Sequence, residues 1–298
     1  MEAFGRGWNF LREAWQMAFK DKDLIKPSVY ALVVGAIISI VGIIPIIGVA
    51  LLMGNSTVGN IVLFVLGAIL VFVHFIVSYI FSAMTVYLIF GYLSEGDGRM
   101  DKAWAMVRRD FFDILALAAV STVVNLIKSA ANRNRRGGVG AAVARAGAGL
   151  LETLWTEAAF LILPAMVIDD LNLKNGLERV WTITKQNFLL IGISTVGVRL
   201  VTGLIGFVLG VIGAVIGFAI GGGLAYASGN GTVAAIGIGI GVLIFFFFVV
   251  IASVISSYTS TAYHTCLYIW ARDVEKAQAK GAVAGQVTAP APLVAVLG

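Results

Sequence analysis

The chain has 298 residues, 59% of them hydrophobic and only 12% charged, with a formal net charge of +5. Soluble domains carry about 25% charged residues, and a surface this poor in charge is not kept in water, so a water-soluble fold is excluded, and with it a soluble basic domain for nucleic acid. The single cysteine, Cys266, excludes an intrachain disulfide, and two histidines, His74 and His264, are too few for a histidine-based metal site.

In chain order, residues 1–26 read as an interfacial helix. Phe4, Trp8, Leu11, Trp15 and Phe19 recur at spacings of three and four and share one face, with Arg6, Arg12, Glu13 and Lys20 between them. Such a helix lies in the headgroup plane or packs on the protein's own cytoplasmic face. The opening Met1-Glu2-Ala3-Phe4 lacks the short apolar core and small-residue cleavage site of a signal peptide. Pro27 leads into a first span over 28–53, Gly54-Asn55-Ser56-Thr57 forms a polar turn, and a second apolar segment covers 58–93. No Asp, Glu, Lys or Arg occurs between Lys26 and Glu95, nor between Arg199 and Arg272. Each run is long enough for two crossings of roughly 20 residues.

A second amphipathic piece covers 99–110, followed by spans at 111–127 and 151–168. The basic stretch from Lys128 to Leu150 lies between them. A third amphipathic piece at 173–187 precedes spans at 188–223 and 232–271, and the Ala/Val/Pro-rich residues 281–298 read as a flexible tail. The pair Asp169-Asp170 reads as helix capping. The expected fold is all-α and polytopic, with about six membrane helices in three hairpins, each preceded by an interfacial helix.

An internal repeat supports that division. Ala14-Trp15-Gln16-Met17 matches Ala103-Trp104-Ala105-Met106 and Val180-Trp181-Thr182-Ile183, each leading into a span. The units are about 1–95, 96–170 and 171–280 of a single membrane domain at 1–280. Trp8, Trp15, Trp104 and Trp181 are the expected interfacial anchors. Lys and Arg cluster in the N-terminal segment, 95–110, 169–187 and after Arg272, which predicts both termini on the cytoplasmic side of the inner membrane. Residues 128–145 depart from this rule. Either this basic stretch is translocated, or the third and fourth spans are re-entrant.

Two charges interrupt apolar segments, Glu157 and Arg199. Their equal distance from the cytoplasmic ends of their spans predicts that they pair or share a polar network. The pair either locks two spans together or marks a point on a polar pathway. His74, within Val71-Phe72-Val73-His74-Phe75-Ile76, is expected to bond a neighbouring span and to extend that network. His264, with Tyr263 and Tyr268, reads as part of an interfacial aromatic belt. Gly203, Gly206, Gly210, Gly213, Gly217 and Gly221 form a stripe answered by Gly237 and Gly241. Such stripes let helices approach closely, within the last hairpin or at a subunit interface. No catalytic set, cofactor motif or metal-ligand spacing stands out.

Several stretches carry a resemblance. They are Gly5-Arg6-Gly7-Trp8 with Ala14-Trp15, Trp155-Thr156-Glu157-Ala158-Ala159-Phe160 through Pro164 to Asp169, Gly176-Leu177-Glu178-Arg179-Val180-Trp181, and Ala262-Tyr263-His264-Thr265-Cys266-Leu267-Tyr268-Ile269-Trp270-Ala271. The pattern resembles an uncharacterised family of prokaryotic six-span membrane proteins. It is more distantly similar to the membrane domain attached to some glycerophosphodiester phosphodiesterases. The resemblance implies an all-helical inner-membrane fold and no phosphodiesterase chemistry, since the soluble catalytic domain has no counterpart here. The functional expectation is a non-enzymatic, self-assembling membrane scaffold with lipids as partners, no cofactor and no nucleic acid. The alternatives are a channel or transporter using Glu157 and Arg199, and a lipid-handling protein.

Overall fold

The computed structural model describes residues 2–54, 56–133, 139–228, 231–281 and 287–297; at 2, 3, 133, 139, 184, 186–197, 199, 225, 227, 228 and 295–297 it describes the backbone alone. Helices α1 (Glu2–Lys20), α2 (Lys26–Met53), α3 (Thr57–Glu95), α4 (Met100–Arg109), α5 (Phe111–Arg133), α6 (Val139–Asp169), α7 (Leu173–Ser228), α8 (Gly231–Ala279) and α9 (Ala291–Leu297) follow in order. No strand occurs among the described residues. Six helical segments among them are long and apolar enough to cross a membrane, and the chain is an all-α polytopic membrane protein.

The long helices pack as the hairpins α2/α3, α5/α6 and α7/α8. Local chemistry sets their ends. Ser56 Oγ accepts the Gly59 N–H at 3.0 Å and opens α3, and Gly96, at φ 80°, closes it in the left-handed region. The start of α7 is capped by Asn172, whose Oδ1 accepts the Asn175 N–H at 2.9 Å, and by Asp113 of α5, which accepts the Leu173 N–H at 3.1 Å. The expectation that Asp169-Asp170 provides this cap is therefore corrected: Asp169 ends α6, and Asp170 turns the chain at φ 54°.

A core gathers at one end of the bundle, here termed basal. It joins Phe10 and Ala14 of α1, Met84, Leu88 and Ile89 of α3, Ile114 and Leu117 of α5, Ile162 and Leu163 of α6, and Tyr258, Tyr263 and Tyr268 of α8. Helix α1 buries Phe10, Ala14, Met17 and Ala18 here, while Phe4, Trp8 and Phe19, about a third of a turn away, stay exposed. The Trp15 indole N–H donates to Thr259 Oγ1 at 3.2 Å, and the Tyr258 hydroxyl donates to the Ala14 carbonyl at 3.0 Å.

The three repeat copies share one buried register. Ala14, Ala103 and Val180 are buried, as are Met17, Met106 and Ile183. The tryptophan between them points away from the core in the second and third copies, where Trp104 is 41% and Trp181 62% exposed. The copies part at their C-terminal ends. α1 and α4 end after their basic residues, whereas the third copy continues unbroken as the first turns of α7.

Three boundaries differ from the sequence reading. α6 begins at Val139, so most of the basic stretch between the third and fourth spans is helical; residues 134–138 lie outside the described residues. The step at Lys185-Gln186-Asn187 does not divide α7. The tail expected to be flexible folds in part into α9, which packs on α1 and α8 with Leu293 fully buried.

The glycine stripe is divided between two environments. A Cβ on Gly217 would lie 2.5 Å from the Gly241 carbonyl oxygen, one on Gly221 2.5 Å from that of Gly237, and one on Gly213 2.7 Å from Phe248 Cβ. Only glycine permits α7 and α8 to approach this closely. At Gly203, Gly206 and Gly210 a Cβ would meet nothing within 4 Å.

Candidate functional site

The two histidines occupy contrasting places. His74 Nδ1 lies 2.8 Å from the Leu70 carbonyl and must donate to it, and its Nε2 lies 2.8 Å from Ser39 Oγ on α2. The Ser39 hydroxyl also donates to the Gly35 carbonyl at 2.9 Å, and the contact ties α3 to α2.

His264 on α8 lies within the core rather than in an exposed aromatic belt, and Tyr263 and Tyr268 are buried with it. That corrects the sequence reading: their helix face is turned to α1 and α6, not to the bilayer edge. His264 Nδ1 lies 2.7 Å from the Ser260 carbonyl, so this nitrogen is a donor. Its Nε2 faces Glu157 Oε2 of α6 at 3.2 Å. Two lone pairs would repel there. The contact therefore holds a proton, either on the imidazolium or on the carboxylic acid. Phe160, one turn from Glu157, stacks on the imidazole at 4.8 Å and 16°, and Tyr263 meets it edge-on at 5.1 Å. At 12 residues from Asp169, Glu157 lies about 18 Å up α6 from the basal end, inside the apolar segment. Arg199, the expected partner of Glu157, is on α7, and its side chain lies outside the described residues.

The protonated pair adjoins a cavity of about 450 Å³ between α3, α6, α7 and α8. Its walls carry six serines, Ser78 and Ser82 of α3 and Ser253, Ser256, Ser257 and Ser260 of α8, with Thr202 of α7, Phe160, Tyr263 and His264. His74 does not line it. The α8 members step by three, one, three and four residues to His264, which is one helical face. The i, i+3, i+4 period of Ser253, Ser256, Ser257 and Ser260 is present in the sequence as a polar stripe on the longest charge-free run. Charge alone does not reveal it, and serine leaves the hydropathy of the segment high.

A second space of about 200 Å³ lies between α3, α5 and α6 and shares Ser78, Ser82 and Phe160 with the first. Beside it, Ser121 of α5 is a three-way node. Its Oγ donates to the Leu117 carbonyl at 2.9 Å, accepts the Trp155 indole N–H at 2.8 Å, and meets the Tyr79 hydroxyl at 2.7 Å. Lys128 and Glu152 form an ion pair at its margin. Each is 17 residues from the basal end of its helix, at Phe111 and Asp169, or about 26 Å along it.

Charges elsewhere knit the basal ends together. Asp169 accepts the Tyr268 hydroxyl at 2.5 Å and Arg272 Nη1 at 3.3 Å. Arg179 Nη1 donates to Glu275 at 2.7 Å, and Arg109 bridges Asp110 and Asp170. The Glu275 carboxylate raises the Arg179 pKa further and keeps it charged. These pairs join α4, α6, α7 and α8 outside the cavity.

No protein-family model matches this chain, and no curated protein matches it. The resemblance drawn from the sequence rests on its own motifs alone.

Proposed function

We propose that this chain is a membrane transport protein that moves a small polar solute or ion through the serine-lined cavity, coupled to the proton held between His264 and Glu157. The observation that carries this reading is the meeting of a protonated pair with a hydroxyl-walled cavity inside apolar helices. Ionisable groups are costly in a bilayer and mark pathways and proton relays there. Hydroxyls from three helices offer donors and acceptors that can replace a solute's hydration shell without fixing a charge. The reading is non-enzymatic, with both termini cytoplasmic and the basal core at the cytoplasmic side.

The test uses purified protein in proteoliposomes with an imposed pH gradient and a panel of sugars, amino acids and monovalent cations. A transporter gives solute-dependent proton movement, and Glu157→Gln, which keeps the shape but not the proton, uncouples it. Proton movement unaffected by Glu157→Gln and His264→Gln overturns the coupling.

A second reading, self-assembly into a scaffold, draws on one observation. Gly203, Gly206 and Gly210 continue the small-residue stripe where α8 does not approach it. A partner helix could pack there. Native mass spectrometry of Gly210→Leu tests it: loss of a discrete oligomer favours assembly, and an unchanged oligomer removes this face from consideration.

A further inference from the structure

The smaller cavity differs in chemistry from the serine-lined one. Its walls include four aromatic rings, Phe75 and Tyr79 of α3 and Trp155 and Phe160 of α6, and one carboxylate, Glu152. Every ring is held by a contact of its own. Phe75 and Tyr79 stack at 5.9 Å and 15°. The Tyr79 hydroxyl and the Trp155 indole N–H converge on Ser121 Oγ. Phe160 is stacked on His264. A ring set fixed in advance loses little freedom when a ligand arrives.

We propose that this space is an aromatic cage for an alkylated ammonium group carried by a small zwitterion. Aromatic faces are electron-rich and attract cations, most strongly where water is excluded, and quaternary ammonium groups are held in this way. Ser78, Ser82, Ser121, Asn125 and Thr156 also line the space, but the Ser121 hydroxyl is engaged by Leu117, Trp155 and Tyr79 and the Thr156 hydroxyl donates to the Glu152 carbonyl, whereas a metal ion or primary ammonium would need several oxygen ligands or acceptors directed at it. A lone anion would meet Glu152 in the wall, while Lys128 is not among the lining residues. The volume of about 200 Å³ is below that of sites for drug-sized ligands and suits a compact head. Glu152 is paired with Lys128, both side chains partly exposed. A zwitterion exchanges this pair without loss of charge balance. Its ammonium takes the Glu152 side and the rings, and its phosphate or carboxylate takes Lys128. The same chemistry is presented by a phosphocholine lipid headgroup and by free glycine betaine.

The site is distinct from the transport reading, because binding is measured at equilibrium and needs neither His264 titration nor flux. The experiment uses the full chain in detergent. Saturable binding of radiolabelled glycine betaine is measured by scintillation proximity. Retention of dioleoyl phosphatidylcholine is compared with that of dioleoyl phosphatidylethanolamine by native mass spectrometry. Betaine binding assigns a free solute and selective phosphatidylcholine retention assigns a headgroup; either supports the cage. Trp155→Leu and Glu152→Gln should each weaken the ligand roughly tenfold or more, and Trp155→Phe, which keeps a ring, should keep it within roughly threefold. Where Trp155→Leu fails to fold, Glu152→Gln, a near-isostere at a partly exposed position, carries the test. No betaine binding together with equal retention of the two lipids overturns the proposal, as does a wild-type affinity in Glu152→Gln.

Discussion

His264 Nε2 and Glu157 Oε2 lie 3.2 Å apart, on helices separated by 107 positions in sequence, and the donor role fixed on Nδ1 by the Ser260 carbonyl obliges them to share a proton. The relationship joins α6 to α8 beside the serine-lined cavity. It ties a structural contact and a titratable group to the same two side chains.

Removing either partner should therefore be felt through the other. A double-mutant cycle over Glu157→Gln and His264→Gln should give a coupling of about 1–3 kcal/mol in thermal or denaturant unfolding, the range for residues in one polar network. The Glu157 side chain is 26% exposed, which argues for the lower half of that range. Strictly additive effects would show that the two groups do not interact.

The glycine stripe makes opposite predictions along one helix. Gly217→Ala drives a methyl into the Gly241 carbonyl, an oxygen of rigid backbone, and should cost about 1–3 kcal/mol. Gly206→Ala meets open space and should gain about 0.5–1 kcal/mol through lower backbone freedom. Melting temperatures of the two purified variants should move in opposite directions. Equal shifts would contradict the division of the stripe.

Much of this fold was legible because membrane helices announce themselves by what they lack. The charge-free runs after Lys26 and after Arg199 mark two hairpins, and Glu157 stands out as a charge within apolar sequence. Its partner was not legible, since nothing local distinguishes His264 from an interfacial histidine. The early start of α6 was hidden by arginine and glycine around 133–149, although Ala141, Ala142, Ala144, Ala146 and Ala148 favour a helix there. α9 was hidden because its anchoring rests, among the described residues, on Pro292 and Leu293 in a weakly patterned tail. The aromatic cage depends on rings from α3 and α6 meeting through Ser121 of α5, a convergence no single segment encodes.

The Ser121 node should be expensive to remove. Ser121→Ala leaves the Trp155 indole N–H and the Tyr79 hydroxyl without this shared partner. The loss should be about 2–3 kcal/mol, since an unsatisfied buried polar group costs about 1–3 kcal/mol. Ser121→Thr, which keeps the oxygen, should recover much of it. Unfolding of the two variants in one detergent compares them, and equal loss would point to packing rather than hydrogen bonding.

The shared register of the repeat predicts unequal roles for its tryptophans. Trp15→Phe loses the bond to Thr259 and should cost about 1 kcal/mol. Trp181→Phe, on the exposed side of its helix, should stay within about 0.5 kcal/mol. Melting curves of both variants decide, and a Trp181→Phe loss as large as that of Trp15→Phe would contradict the assignment.

Transport through the serine-lined cavity requires that water reach it among these apolar helices, and thiol accessibility probes this directly. The only native cysteine, Cys266, is fully buried and can be replaced by alanine to give a silent background. Ser256→Cys in the cavity wall and Phe247→Cys on the exposed apolar face of the same helix are then treated, in membranes, with a permanently charged methanethiosulfonate reagent. A water-filled cavity gives rapid labelling at position 256 and none at 247. Labelling at 256 no faster than at 247 would mean that the cavity is closed to water, and the transport reading would fall.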